Sequence, residues 1–174
     1  MNCDFLVDVE LDRVDWKNVR DALGPAVDVP ANFRQLLAAT NDPEVKRAYW
    51  KLENHVVVQG QVYEASIHLV PAICAALADP NRSLLVRTWI VELLYQICGP
   101  YSVPSSESSA SIVDSCRNAA RNALWNLYGE LAKQEIKVVE SLIKSLDADP
   151  DRLALVRTKI PNYNAPIWTT KRQA

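Results

Sequence analysis

The side chains able to do chemistry are few and scattered through this chain. Its two histidines, His55 and His68, stand 13 residues apart with no carboxylate at a fixed spacing. Either imidazole could serve as a base, but the more economical role is a capped or half-buried histidine. Asp149 and Asp151 could form an acid/base pair, yet they fall in a turn ahead of an apolar run, where helix capping accounts for them. The serines within 105–111 lie in a loop-like stretch without a nucleophile elbow. Glycines 24, 60, 99 and 129 are too dispersed to cradle a phosphate, which excludes P-loop and dinucleotide fingerprints. The cysteines at 3, 74, 98 and 116 form no CxxC pair, and Cys74 and Cys98 sit in apolar helical contexts where a reduced thiol acts as a small hydrophobe. No zinc spacing exists, so no metal, no cofactor and no catalytic residue are expected. The protein reads as a non-enzyme.

Partner-binding chemistry has better candidates. Trp50, Asn54, His55, Gln59, Gln61, Tyr63, Glu64 and His68 cluster with Tyr49 around the break at Gly60. Aromatics mixed with amides and histidine match the composition of interface cores. The alternative keeps the rings between helices and turns only the polar members outward. A second candidate is the N-terminal charge. Residues 1–15 carry Asp4, Asp8, Glu10, Asp12 and Asp15 against Arg13 alone, a net −4, whereas residues 157–174 are basic and hold no acid. Asp8, Glu10 and Asp12 could steer a basic protein onto this end, although charged ends are also ordinary solvated surface.

The elements that must position these residues are helical. Asp15 can cap a helix to Leu23, stopped by Gly24-Pro25. Pro30 opens a second helix through residues 32–37, and Asp42-Pro43-Glu44 combines a cap, a first-turn proline and a first-turn acid. Val45, Tyr49, Leu52 and Val56 follow at helical spacing. Ala65, Leu69, Ile73 and Leu77 form an i+4 row in a helix over 62–78, with Pro71 expected to kink it or end its first part. Helices over 82–98, 112–131, 136–146 and 152–159 complete the set. Phe5, Val7, Val9 and Leu11 alternate with other residues at period two, predicting an extended N-terminal arm over 1–14. Residues 99–111 read as a flexible loop and 161–174 as an irregular tail. All of this fits one domain over 1–174.

The full chain has 174 residues, 49% hydrophobic and 23% charged, with a net charge of −2. It can bury a core without disulfides. It lacks the basic footprint of a nucleic-acid binder, and no apolar run approaches the ~18 residues of a membrane span. Met1-Asn2-Cys3-Asp4-Phe5 does not resemble a signal peptide, so a cytoplasmic location is expected.

Self-similarity is the strongest long-range signal. Residues 79–90, DPNRSLLVRTWI, and 149–160, DPDRLALVRTKI, are identical at eight of twelve positions at an offset of 70. Asp42, Asp79, Asp114 and Asp149 form a series at intervals of 37, 35 and 35. Arg47, Arg87, Arg121 and Arg157 follow these acids by 5, 8, 7 and 8 residues, placed to reach back to a cap or helix end. Such a period suits one helix pair per repeat.

Pro71, Asp79, Val86 and Arg87 resemble the HEAT-repeat pattern of a proline in the first helix, an aspartate in the turn and a Val-Arg pair in the second. Asp149, Val156 and Arg157 keep most of that pattern, with Glu140 where the proline would align. The resemblance implies an all-α, HEAT-like right-handed superhelix of about seven to eight helices. A narrower resemblance lies in Trp50-Lys51-Leu52-Glu53-Asn54-His55, Gln59 to Ala65 and Leu69-Val70-Pro71. These segments resemble small bacterial HEAT-like proteins, among them immunity proteins of polymorphic or contact-dependent growth inhibition toxins. That resemblance implies a cytoplasmic inhibitor occluding the active site of one cognate toxin domain, such as a basic nuclease, with no nucleic acid or membrane as partner. A general HEAT scaffold and a HEAT-like nucleic-acid enzyme are the alternatives.

Overall fold

The computed structural model describes residues 4–102, 107–132, 136–160 and Tyr163. The chain is mostly helical, with one small hairpin. Helix α1 spans Asp4–Asp12, where an extended arm was expected. The alternation in 5–11 hides an i, i+4 pair: Val7 and Leu11 are buried, while Phe5, Leu6 and Val9 are exposed. A lone strand would leave its backbone groups unpaired, whereas a helix satisfies its own.

Residues 15–26 form turns instead of the expected helix. The Asp15 carboxylate accepts from the Lys17 N–H and the Asn18 amide, and the Asp21 carboxylate accepts from the N–H groups of Leu23 and Gly24 at 2.8 and 2.9 Å. These local bonds compete with helix formation. The indole of Trp16 donates to Leu11 O at 2.7 Å, tying the end of α1 to this segment.

Helix α2, Val29–Ala38, starts at Pro30 as its fixed φ favours, and packs on α3, Asp42–Val56. The cap of α3 is Asn41, one residue before the expected Asp42: its side chain accepts from Glu44 N–H, and Glu44 accepts from Thr40 N–H. Val45, Tyr49, Leu52 and Val56 are all buried, as their spacing predicts.

The break at Gly60 is a hairpin. Strands β1, Val57–Val58, and β2, Gln61–Val62, pair antiparallel across Gln59 and Gly60, whose φ angles are 51° and 82°. Two positive φ values suit the tight turn that matches strand twist, and glycine takes one of them without strain.

Helix α4, Ala65–Ala78, runs through Pro71 without ending and packs on α1, α5 and α6. Its row of Ala65, Leu69, Ile73 and Leu77 is fully buried. Helix α5, Leu84–Cys98, is capped by Ser83 and buries Ile90, Leu93, Leu94 and Ile97. Helix α6, Glu107–Ala120, begins inside the stretch expected to be a loop, so 107–111 is helical; residues 103–106 lie outside the description. Ser102 is held by its hydroxyl, which donates to Gln96 O and Ile97 O. A 3-10 turn over Arg121–Ala123 interrupts the expected helix 112–131, leaving α7 as Leu124–Glu130. Helix α8 is Ile136–Leu146, and α9, Pro150–Lys159, is capped by Asp149. The tail expected over 161–174 lies outside the described residues save Tyr163.

The aspartate series is interrupted at Asp114, which lies mid-α6 and starts no helix. The two matched segments are both turns leading into helices, but α9 starts directly after Asp149, whereas α5 starts after Ser83. Their arginines act alike. Arg82 and Arg152 each approach the aspartate three residues back, and Arg87 and Arg157 each pair with a buried glutamate, Glu130 and Glu140. Arginines also close helix C-termini: Arg82 donates to Ala76 O, Arg117 to Cys98 O, and Arg121 to Leu146 O. Positive charge at these carbonyls complements the helix dipole.

Candidate binding surfaces

The structure divides the aromatic and polar cluster around Gly60 between two faces. His55 and Trp50 are five residues apart on α3, about 140° around its axis at 3.6 residues per turn. On the His55 side, Nδ1 lies 2.6 Å from Oδ2 of Asp21, whose side chain is inaccessible. The Ala22 N–H donates to His55 O, and Glu64 accepts from Arg20 N–H at 3.0 Å. His68 stacks edge-on against Trp16 with ring centroids 6.3 Å apart. His55, Glu64 and His68 thus fasten residues 15–26 to α3 and α4. Tyr63 is half-buried and its N–H closes onto Val56 O, while Asn54, Gln59 and Gln61 are exposed.

The acidic N-terminal residues have partners within the chain. Asp8 and Asp12, one turn apart on α1, both accept from Arg34 of α2, at 2.8 and 2.7 Å. Their hydrogen bonds and charges hold the Arg34 guanidinium above its ordinary pKa, with the bond to Asp8 foremost and burial opposing. Glu10 pairs with Arg13 at 2.7 Å, and Asp4 with Arg82 at 2.6 Å. This face is therefore partly neutralised by the protein's own arginines.

On the Trp50 side, α3 and α5 enclose a groove of about 390 Å³ lined by Tyr49, Trp50, Glu53, Thr88, Trp89, Glu92 and Gln96. Tyr49 is buried at its base, its ring 5.3 Å from that of Trp50 and 4.8 Å from that of Trp89. Trp50 is 54% exposed. Glu53 and Glu92 contribute one carboxylate from each helix. Glu92 accepts from Gln96 at 2.7 Å, and no lysine or arginine forms an ion pair with either glutamate among the described residues. Burial pushes the Glu53 carboxyl above the usual carboxylate range. Burial, then the charges of Glu92 and Glu53, pushes the Tyr49 phenol well above its ordinary value. Such a site favours positive charge.

Sequence reasoning singled out Tyr49 and Trp50 but missed Glu53, Trp89 and Glu92 as their companions. The signal was a shared pattern, Trp-x-x-Glu, in both helices: Trp50 to Glu53 and Trp89 to Glu92. Residues three apart share a helix face, so each helix offers one ring and one carboxylate together.

Among the described residues, no group of three or more His, Cys, Asp or Glu is placed to hold a metal ion, and no helix is long and apolar enough to cross a membrane. Cys74, Cys98 and Cys116 are free thiols; burial pushes Cys74 and Cys116 up to about 12 and Cys98 higher still. Thiols so raised are poor nucleophiles and poor ligands. The chain matches no protein-family model, and comparison with curated proteins and with solved structures gives no match.

Proposed function

We propose that this protein is a non-catalytic, cytoplasmic protein-binding module, its helices stacked in a HEAT-like superhelix, with a basic protein as its partner. Its specific form, implied by the resemblance of residues 50–77, is an immunity protein that neutralises a cognate bacterial toxin domain by occluding its active site. The observation that carries the reading is the groove between α3 and α5, where three aromatic rings meet two carboxylates that no cation of the chain pairs with. Partly exposed tryptophans beside a desolvated pocket are the makings of an interface centre. The arginine-paired carboxylates of α1 would then act at a distance, on the rate of encounter.

The test is co-expression of this chain with the protein encoded beside its gene. Rescue of growth from that protein's toxicity, with a co-eluting complex, supports the inhibitor. A stable complex without rescue overturns inhibition in favour of an adaptor. Absence of any complex overturns the protein-binding reading itself.

A further inference from the structure

The groove between α3 and α5 has a chemistry more specific than protein binding in general. Its base is the buried Tyr49 ring, set perpendicular to Trp50 at 80° and tilted from Trp89 by 57°. A cation entering here meets ring faces and edges together with Glu53 from one helix and Glu92 from the other. The cavity is within the range of about 300–1,000 Å³ typical of ligand sites. A larger cavity of about 460 Å³ beside α8 and α9 lacks this unmet demand, because its Asp147 and Asp149 already face Arg152 and its Arg157 pairs with Glu140.

Taking the protein-binding reading as its basis, we propose that this groove receives the guanidinium of an arginine side chain projecting from the basic partner. Three properties select arginine. Its planar head stacks on indole and phenol rings, where a lysine ammonium makes only point contacts. Its fork of five donors can serve both glutamates at once, which a single compact charge cannot do as well. It is also weakly hydrated, so entering a groove that already desolvates Glu53 costs it less. The arriving charge would reverse the penalty that burial places on the Glu53 carboxylate.

The experiment uses the full chain, ¹⁵N-labelled at its tryptophan indoles, titrated with a short Gly/Ser peptide carrying one central arginine. Counterparts replace that arginine by citrulline, its neutral isostere, or by lysine. The expected result is saturable shifts of the Trp50 and Trp89 indole signals with the arginine peptide, and at least about tenfold weaker binding of the citrulline peptide. The double variant Glu53→Gln/Glu92→Gln should lose the response, while unchanged signals from Trp16 and Trp125 show that it folds. Trp50→Ala, at an exposed position, gives an independent variant and should also weaken binding. Equal binding of arginine and citrulline peptides, or no binding, overturns the proposal. Tighter binding of lysine overturns it in favour of an ammonium site. Once a partner complex is in hand, Glu53→Gln/Glu92→Gln separates the two readings. An undiminished complex removes the groove and leaves the protein-binding role standing, whereas failure of the unaltered chain to bind any partner removes that role.

Discussion

Arg87 Nε donates to Glu130 Oε1 at 3.0 Å, joining α5 to the end of α7 across a gap of 43 residues in sequence. Both side chains are buried, and the same guanidinium donates to Asp79 O at 2.7 Å and Leu77 O at 3.3 Å. One arginine therefore closes the C-terminus of α4 and neutralises a buried carboxylate. Removing one partner of a buried ion pair costs about 3–5 kcal/mol, because the remaining charge loses its compensation. Arg87→Leu is expected to lower unfolding stability by that amount in denaturant titration. Arg157→Leu should cost less than half as much, since Arg157 is more exposed at 29% and solvent can replace it at Glu140. Equal costs for the two would mean that burial does not set the difference.

His55 was a partner-binding candidate because it sits among exposed polar residues in sequence. Its contact with Asp21 gives it a structural task instead: it holds the 15–26 segment on α3. His55→Ala would leave the inaccessible Asp21 carboxylate short of one bond, at a cost of about 1–3 kcal/mol. Amide exchange should accelerate at Ala22, Leu23 and Gly24 more than in α4. A variant of unchanged stability and unchanged exchange would show that Asp21 is satisfied without His55.

Helices α2 to α5 were legible because each carries both an apolar row at helical spacing and a start signal, as with Pro30 or Ser83. Even there, the caps were placed from residue type alone, so Asn41 was passed over for Asp42. Helix α1 was misread because Val7 and Leu11 satisfy both period two and i, i+4, and only the packing against α4 selects between them. The Asp15 signal was real as a cap but led into turns, since Asp21 captures the N–H groups that a helix would use. In α6 the serines of 107–111 have weak helix propensity, and tertiary contact overrides it. The groove was half visible: Trp50 stood out, but pairing it with Trp89 needs the crossing of α3 and α5, which no local pattern contains.

The three described cysteines should be chemically silent. With Cys74 and Cys116 held up to about 12 by burial, the thiolate fraction near pH 8 is small. In a Cys3→Ser background, alkylation of the folded protein should run roughly a thousandfold slower than for a free thiol of pKa about 8.5. All three thiols should react at once in denaturant. Rapid labelling of Cys74 in the native state, read by mass spectrometry, would show that α4 and α6 separate there far more readily than their packing implies.

Tyr128 and Asp147 give stability two pH limits. The Tyr128 hydroxyl donates to Asp147 Oδ2 at 2.6 Å, and Arg152 and the Asp149 N–H also serve that carboxylate. Burial alone would raise the Asp147 carboxyl, but the bond from Tyr128, the backbone bond and the charge of Arg152 outweigh it and bring the group below its ordinary value. The unfolded state then binds a proton first, so stability rises with pH across that window. The contribution is complete above the unfolded carboxylate value of about 3.9 and is lost as pH falls through the lower folded value. For Tyr128 the sign is opposite: burial, then the bond to Asp147, pushes the phenol well above its usual range. Its contribution is complete below the unfolded phenol value of about 10 and is lost as pH rises toward the folded one. Asp147→Asn should therefore be less stable than the parent at pH 7, with the gap closing as pH falls below about 4. Tyr128→Phe should show its largest deficit between these limits, shrinking toward both. Urea midpoints measured from pH 2.5 to 11 decide it, and a gap that stays constant through either limit removes the corresponding linkage.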